Sequence, residues 1–191
     1  MSARISPTAR GFCWKPYVLY FLLYAVLGWC YEVFLEVVVY RWGFSNRGVL
    51  FGPYCPVYGV GALLFLLCFS GLMRRRGGAA FRLARVLLVF LGCMAVATAV
   101  ELISSYLLEW TIGSWPWQTY ADYAWNFQAR IALSPSVRFG LGGVLFLYLI
   151  QPLFERLVGR LSPRALDRCA YGALALLAVD FAATVLVQVL A

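Results

Sequence analysis

The chain has 191 residues, of which 63% are hydrophobic and only 13% charged, with a formal net charge of +8. Soluble domains carry about 25% charged residues, so this composition excludes a water-soluble globule and predicts a multi-pass membrane protein. The positive charge does not indicate a nucleic-acid partner, because the basic residues lie in the connections between apolar runs rather than on one folded face.

Five apolar runs are close to the length that an α-helix needs to cross a bilayer, which is about 20 residues. The sequence therefore predicts an all-α transmembrane helix bundle, with a tail over residues 1–16 and a single transmembrane domain over residues 17–191. The first run is longer than the apolar part of a signal peptide, so we expect it to be retained as a span. The predicted spans cover residues 17–40, 56–73, 83–108, 137–153 and 169–190.

The basic residues predict how this bundle is oriented, because Lys and Arg accumulate in the cytoplasmic loops of membrane proteins. Twelve of the sixteen lie in the N-terminal tail and in the second and fourth connections. This pattern predicts a cytoplasmic N-terminus, a C-terminus outside, and outer loops over residues 41–55 and 109–136. The second outer loop is rich in Trp and Tyr, which favour the membrane–water interface, so it is predicted to be an interfacial cap or a simple aromatic belt.

Two glutamates lie inside predicted spans at a similar depth. Glu32 precedes the outer end of the first span by eight residues, and Glu101 precedes the outer end of the third by seven. A carboxylate at membrane depth costs about 2.5–3.5 kcal/mol on insertion scales, so such residues usually mark a functional site. Two ionised acids at one depth would repel each other. We therefore expect a proton, a cation or one of the outer-loop arginines, Arg47 and Arg130, to compensate them.

Each of these acids belongs to a polar stripe with helical spacing, so its members share one helix face. Polar faces in a membrane turn toward the bundle interior or a wet cavity. We therefore expect the first, third and fifth spans to line one polar cavity that opens outward. The alternative is that the acids only join helices by hydrogen bonds. The three stripes are Gly28, Glu32 and Glu36; Thr98, Glu101, Ser105 and Glu109; and Asp180, Thr184 and Gln188.

The segment between Asn46 and Gly61 is rich in residues that break helices. Glycine permits positive φ and close backbone approach, and proline removes a backbone donor. Irregular backbone is not tolerated against lipid, so this segment is predicted to line the cavity, with a plain extracellular turn as the alternative. The predicted cavity-lining residues are Gly48, Gly52, Pro53, Tyr54, Cys55, Pro56, Tyr58 and Gly59.

Three blocks of the chain resemble the bacterial family named Putative ABC-transporter type IV. The blocks are Gly28-Trp29-Cys30-Tyr31-Glu32, Asn46-Arg47-Gly48 and Gly52-Pro53-Tyr54-Cys55-Pro56-Val57-Tyr58-Gly59. Later counterparts of the family pattern are Thr98, Glu101, Glu109, Asn126, Arg130, Ile131 and Ser134. The resemblance covers roughly Tyr20 to Pro152. The chain departs from the family at Thr119, where an acid is usual, and at Ala129, where a glycine is usual.

The resemblance implies a permease subunit of an ABC-type transporter, embedded in the lipids of the bacterial cytoplasmic (inner) membrane. The chain has no G-x-x-x-x-G-K-[ST] phosphate loop, so a separate ATPase subunit is the expected partner. We also expect a homo-oligomer, because five short helices make a small pore wall. The candidate residues for binding a substrate or an ion are Glu32, Glu101, Arg47, Arg130, Asn46, Asn126, Glu36, Glu109 and Thr98.

Two other functions stay open on sequence alone. Paired carboxylates could perform acid–base chemistry on a lipid-linked substrate at the outer face, with Tyr54, Tyr58 and Cys55 assisting. The polar residues could instead only specify packing in a structural or regulatory subunit. We predict no catalytic motif, cofactor or metal site, because the chain has no histidine and the spacing of its six cysteines fits no zinc or disulfide pattern.

Overall fold

The computed structural model describes residues 13–46, 48–115 and 117–190, apart from the side chain of Gln188. The described chain is helical except for its connections and one short hairpin. The helices are α1 (Lys15–Phe34), α2 (Pro56–Arg74), α3 (Ala79–Ile112), α4 (Leu133–Leu145), α5 (Gln151–Gly159) and α6 (Pro163–Leu190). A π-helical turn extends α1 over Leu35–Val39, and a second one joins α4 to α5 over Phe146–Ile150.

Five helical stretches are long and apolar enough to cross a membrane, which confirms the predicted all-α class and the number of spans. By this helix composition the protein is a multi-pass membrane protein. The third helix is longer than the predicted span, because α3 begins at Ala79 and continues until Gly113, whose positive φ of 78° ends it. The five stretches are Lys15–Val39, Pro56–Arg74, Ala79–Ile112, Leu133–Gly159 and Pro163–Val187.

The chain divides into two compact units. The terminal unit takes in the chain up to Pro56 and from Leu157 onward, and in it α1 packs against α6. The central unit takes in Val57–Arg156, and in it α3 packs against α4. Glu32 belongs to the terminal unit and Glu101 to the central unit. The expectation that both line one cavity therefore stays a prediction.

The core of the terminal unit joins α1 to the loop that precedes α2. Ala25 of α1 is buried together with Leu50 and Tyr54 of the loop. The backbone N–H of Cys55 donates to the carbonyl oxygen of Ala25 at 2.9 Å. Because this bond fixes the end of the loop to the middle of α1, the segment that sequence predicts to be irregular is packed against protein.

The central unit packs α3 against α4 through two glycines of α4. A Cβ atom added at Gly143 would lie 2.5 Å from both Cβ and Sγ of Cys93. One added at Gly140 would lie 3.0 Å from the carbonyl oxygen of Phe90. Small residues allow this kind of close approach between membrane helices. The missing side chains therefore set the distance between the two helices.

We expect Gly143→Ala to lower the stability of the protein relative to Gly142→Ala. Both changes raise helix propensity equally, but a Cβ at Gly142 meets nothing within 4 Å. Overpacking of this kind typically costs about 1–3 kcal/mol. Thermal unfolding in detergent, followed by tryptophan fluorescence, measures the difference. Equal midpoints for the two variants would contradict the close contact of α3 with α4.

Candidate functional site

In the terminal unit, the carboxylate of Asp180 holds the loop that precedes α2. It accepts hydrogen bonds from the backbone N–H groups of Phe51 at 3.0 Å and Gly52 at 2.8 Å. The hydroxyl of Tyr54 donates to the same carboxylate, and so does the hydroxyl of Thr184, one turn along α6, at 3.3 Å. One acid of α6 thus satisfies backbone donors that irregular structure leaves without helical partners.

Tyr54 is the buried centre of this loop, with 3% of its surface exposed. Burial raises the pKa of Tyr54 to about 12, and the hydrogen bond to the Asp180 carboxylate acts in the same direction. The phenol therefore stays protonated at neutral pH. Because its pKa is higher in the folded than in the unfolded chain, its contribution to stability is present below about pH 10 and lost as the pH rises through about 12.

Two glycines of the predicted cavity-lining set are fixed by their contacts with Tyr54. Gly48 has a φ of 106°, and a Cβ there would lie 3.0 Å from the carbonyl oxygen of Tyr54. A Cβ at Gly52 would lie 2.3 Å from the Tyr54 ring. Gly48 therefore packs against the Gly52-Pro53-Tyr54 block. Pro56, Tyr58 and Gly59 differ from the rest of the set, since they form the start of α2.

Asn46 ties the other end of this loop to α1. The indole N–H of Trp29 donates to the side-chain oxygen of Asn46 at 2.8 Å. The amide nitrogen of Asn46 in turn donates to the carbonyl oxygens of Leu50 at 3.2 Å and Phe51 at 3.0 Å. Asn46 is therefore a positioning residue of the loop. Arg47, the next residue, lies outside the described residues.

The two acids of the first span occupy different surroundings. Glu36 lies in the π-helical turn after α1 and is 6% exposed. Its carboxylate accepts hydrogen bonds from the hydroxyl of Ser45 at 2.6 Å and from the backbone N–H of Ser45 at 3.3 Å. Glu32, four residues earlier, is half-buried. Glu36 thus fixes the chain that follows the first span through its hydrogen bonds with Ser45.

In the central unit, each member of the predicted stripe on α3 meets a partner from the following connection or from α4. This agreement shows that the helical spacing correctly identified one face of α3. The pairs are Thr98 with the hydroxyl of Ser136 at 2.7 Å, Glu101 with the hydroxyl of Tyr120 at 2.7 Å, Ser105 with the guanidinium of Arg130 at 3.4 Å, and Glu109 with the same guanidinium.

Arg130 is almost completely buried, with 6% of its surface exposed. Its guanidinium lies 4.0 Å from the ring centroids of both Tyr106 and Trp115 and forms an ion pair with Glu109. Stacking on two aromatic faces and pairing with a carboxylate both offset the cost of burying this charge. The ion pair of Arg130 is therefore made with Glu109, whereas the sequence suggested Arg130 as a counter-charge for Glu101.

A tight turn presents Arg130 to this site. It joins strands β1 (Asn126–Phe127) and β2 (Ile131–Ala132), which pair antiparallel. The side-chain oxygen of Asn126 accepts from the N–H of Ala129 at 3.1 Å, within a turn where φ of Ala129 is 55°. This left-handed conformation strains an alanine and suits a glycine.

Two tryptophans of the connection between α3 and α4 hold this turn. The indole N–H of Trp115 donates to the carbonyl oxygen of Ala129 at 3.1 Å, and that of Trp117 donates to the carbonyl oxygen of Arg130 at 2.9 Å. These residues therefore act as part of a folded cap. Trp110 and Trp125 remain exposed, as residues of an aromatic belt would be.

Glu101 differs from Glu109 because one of its carboxylate oxygens is buried without a hydrogen-bond partner among the described residues. Oε1 accepts the hydrogen bond from Tyr120, whereas Oε2 is buried and has no hydrogen-bond partner among the described residues. Tyr120 lies in the 3₁₀ helix Gln118–Asp122. Burial raises the pKa of Tyr120, and the negative charge of Glu101 raises it further. Tyr120 is therefore the donor, and Glu101 the acceptor.

Asp180 and Tyr120 were not among the sequence candidates. Asp180 was placed on a polar face by its four-residue spacing to Thr184, but no local pattern showed that the face would meet Phe51 and Gly52. Tyr120 was one aromatic residue of many in its loop. No signal within the loop set it apart from the others.

The fold and these sites define a small multi-pass membrane protein whose spans carry acids, most of them bound to residues of its own connecting loops. The model of the family described as Putative ABC-transporter type IV matches residues 19–185. The chain belongs to this family, which confirms the resemblance seen in its motifs. Comparisons with curated proteins and with solved structures found no match.

We expect Asp180→Asn to expose Cys55, which is 4% exposed at the end of the loop. Charge-assisted hydrogen bonds each contribute about 1.5–3 kcal/mol, so losing one should raise the population of the open loop about tenfold or more. The measurement is the rate at which a maleimide modifies a variant that retains Cys55 as its single cysteine.

Asp167→Asn is the matched control for this experiment. It makes the same change at the other end of α6, where Asp167 pairs with Lys15 at 2.6 Å. We expect it to leave the modification rate of Cys55 unchanged, while a variant retaining only the exposed Cys13 reports the reactivity of the reagent. An unchanged rate for Asp180→Asn would show that the Asp180 carboxylate does not hold the loop.

Proposed function

We propose that this protein is the membrane-spanning permease subunit of an ABC-type transporter in the bacterial inner membrane. The observation that carries this proposal is the match of one transporter family over residues 19–185 of a chain with five long apolar helices. The chain has no phosphate loop of its own, so a separate ATPase subunit would hydrolyse the ATP. Because five helices form a small pore wall, the subunit would act as a homo-oligomer.

We further propose that Glu32 and Glu101 bind a proton, a cation or a cationic group of the substrate in an outward-facing polar cavity. Both are half-buried acids inside long apolar helices. A carboxylate there is costly, and such residues usually have a function. The spare buried oxygen of Glu101 supports a binding role for this residue. Glu36 and Glu109 contribute differently, since their carboxylates are bound by Ser45 and Arg130.

The outer loops would cover their units on the side from which the substrate arrives. In the terminal unit, Asp180 fixes the loop before α2 through two backbone N–H groups. In the central unit, Glu109 fixes the turn that carries Arg130. Loops held in this way stay ordered next to a wet cavity, which is where irregular backbone is tolerated at membrane depth.

Affinity purification of the tagged chain from native membranes tests the permease function. We expect a stoichiometric partner that carries a G-x-x-x-x-G-K-[ST] phosphate loop and gives the complex ATPase activity. An unrelated five-span membrane protein with the same tag is the control. Purification of the chain without an ATPase in a series of mild detergents would contradict the proposal, and incubation with lipid extract would then test for an enzyme.

In the same complex, we expect Glu32→Gln and Glu101→Gln to retain the partner but to lower transport-coupled ATPase activity in proteoliposomes at least tenfold. The amide keeps the shape of the side chain but removes the negative charge that would bind the ligand. Asp122→Asn is the matched control, because it makes an equivalent change at an exposed residue outside the spans. Wild-type activity in both glutamine variants would exclude these acids from the binding site.

A further inference from the structure

We infer that the ligand of Glu101 is a proton, which binds to and leaves the buried oxygen Oε2. The inference rests on the proposed function only in taking Glu101 as a ligand-binding residue, and it needs no ATPase partner. Its starting point is a difference between two glutamates on one face of α3. Glu109 pairs with Arg130, whereas Glu101 accepts one hydrogen bond, from Tyr120, among the described residues.

The unpartnered oxygen makes the ionised form of Glu101 expensive. Oε2 is buried and accepts no hydrogen bond from the described residues. A buried ionised carboxylate without a partner costs far more than a buried neutral polar group, and such groups usually take up a proton. Glu109 avoids this cost because its side chain is 45% exposed and is paired with the guanidinium of Arg130. In Glu101 a proton on Oε2 would remove the buried charge.

The surroundings of Glu101 suit a proton better than a metal ion. Ca²⁺ takes six to eight oxygen ligands, and Mg²⁺ needs a near-octahedral set. The described residues contain no group of three or more acids, histidines or cysteines that could hold a metal. The hydroxyl of Thr98, one turn away, is already bonded to the carbonyl oxygen of Met94 and to the hydroxyl of Ser136, at 2.8 and 2.7 Å. A proton needs only the one oxygen.

One neighbour of Glu101 makes the binding reversible. Tyr120 of the 3₁₀ helix donates a hydrogen bond to Oε1, and such a bond is stronger to an ionised carboxylate than to a neutral one. Two cations of the neighbouring elements have partners of their own: Arg138 of α4 donates to the hydroxyl of Tyr123 at 2.7 Å, and Arg130 is paired with Glu109. Burial thus favours the bound proton, and the hydrogen bond from Tyr120 favours its release.

Labelling with dicyclohexylcarbodiimide tests this inference on the intact protein in membranes. The carboxyl O–H adds across one C=N bond, with its proton passing to nitrogen, and the adduct rearranges to a stable N-acylurea without a leaving group. Peptide mass spectrometry locates the modified residue. We expect labelling at Glu101 that falls about tenfold per pH unit above the midpoint of its titration, and no labelling at Glu109, the internal control.

Tyr120→Phe gives a second readout. It removes a hydrogen bond that stabilises the charged form, so the midpoint of Glu101 labelling should move to higher pH. Absence of labelling at Glu101 at every pH would overturn the inference. Labelling that does not depend on pH but is blocked by Na⁺, K⁺ or Mg²⁺ would also overturn it, since Glu101 would then bind a metal cation. Neither result depends on whether an ATPase co-purifies.

Discussion

A polar group inside a bilayer has to find its hydrogen-bond or charge partner within the protein, because lipid tails offer none. Two connections between the helices are held by such partners. The loop before α2 is ordered around the carboxylate of Asp180, and the hairpin turn between α3 and α4 is ordered around the ion pair of Arg130 with Glu109. In both units, an acid on a helix gives irregular backbone or a buried cation its partner.

The same constraint separates the acids of the spans by what they do. Glu36, Glu109 and Asp180 have partners of matching chemistry in the connections of the chain. Their carboxylates therefore contribute to the order of those connections. Glu101 has one oxygen satisfied and one buried without a hydrogen-bond partner among the described residues. A buried oxygen without a hydrogen-bond partner suits a binding residue, because a ligand can then supply the missing hydrogen bond or charge.

Hydropathy and helical spacing are local properties, and they were sufficient to predict five spans and the polar face of α3. The choice of partners was not local. Asp180 reaches Phe51 across 129 positions of the chain, and no short pattern encodes such a contact. Arg130 reaches Glu109 because the turn at Ala129 takes a positive φ, which an alanine gives no reason to expect. The sequence therefore predicted the five spans and the polar face of α3, but not the residues that this face contacts.

The packing around Tyr54 also limits how the protein can evolve. Gly48 and Gly52 leave room for Tyr54, and Tyr54 and the two loop N–H groups meet the Asp180 carboxylate. A larger residue at either glycine would displace the tyrosine, and loss of the acid would leave its donors without an acceptor. A single substitution at any of these positions therefore disturbs the others. The Gly52-Pro53-Tyr54 block and Asp180, 128 positions after Gly52, are expected to be inherited, and to change, together.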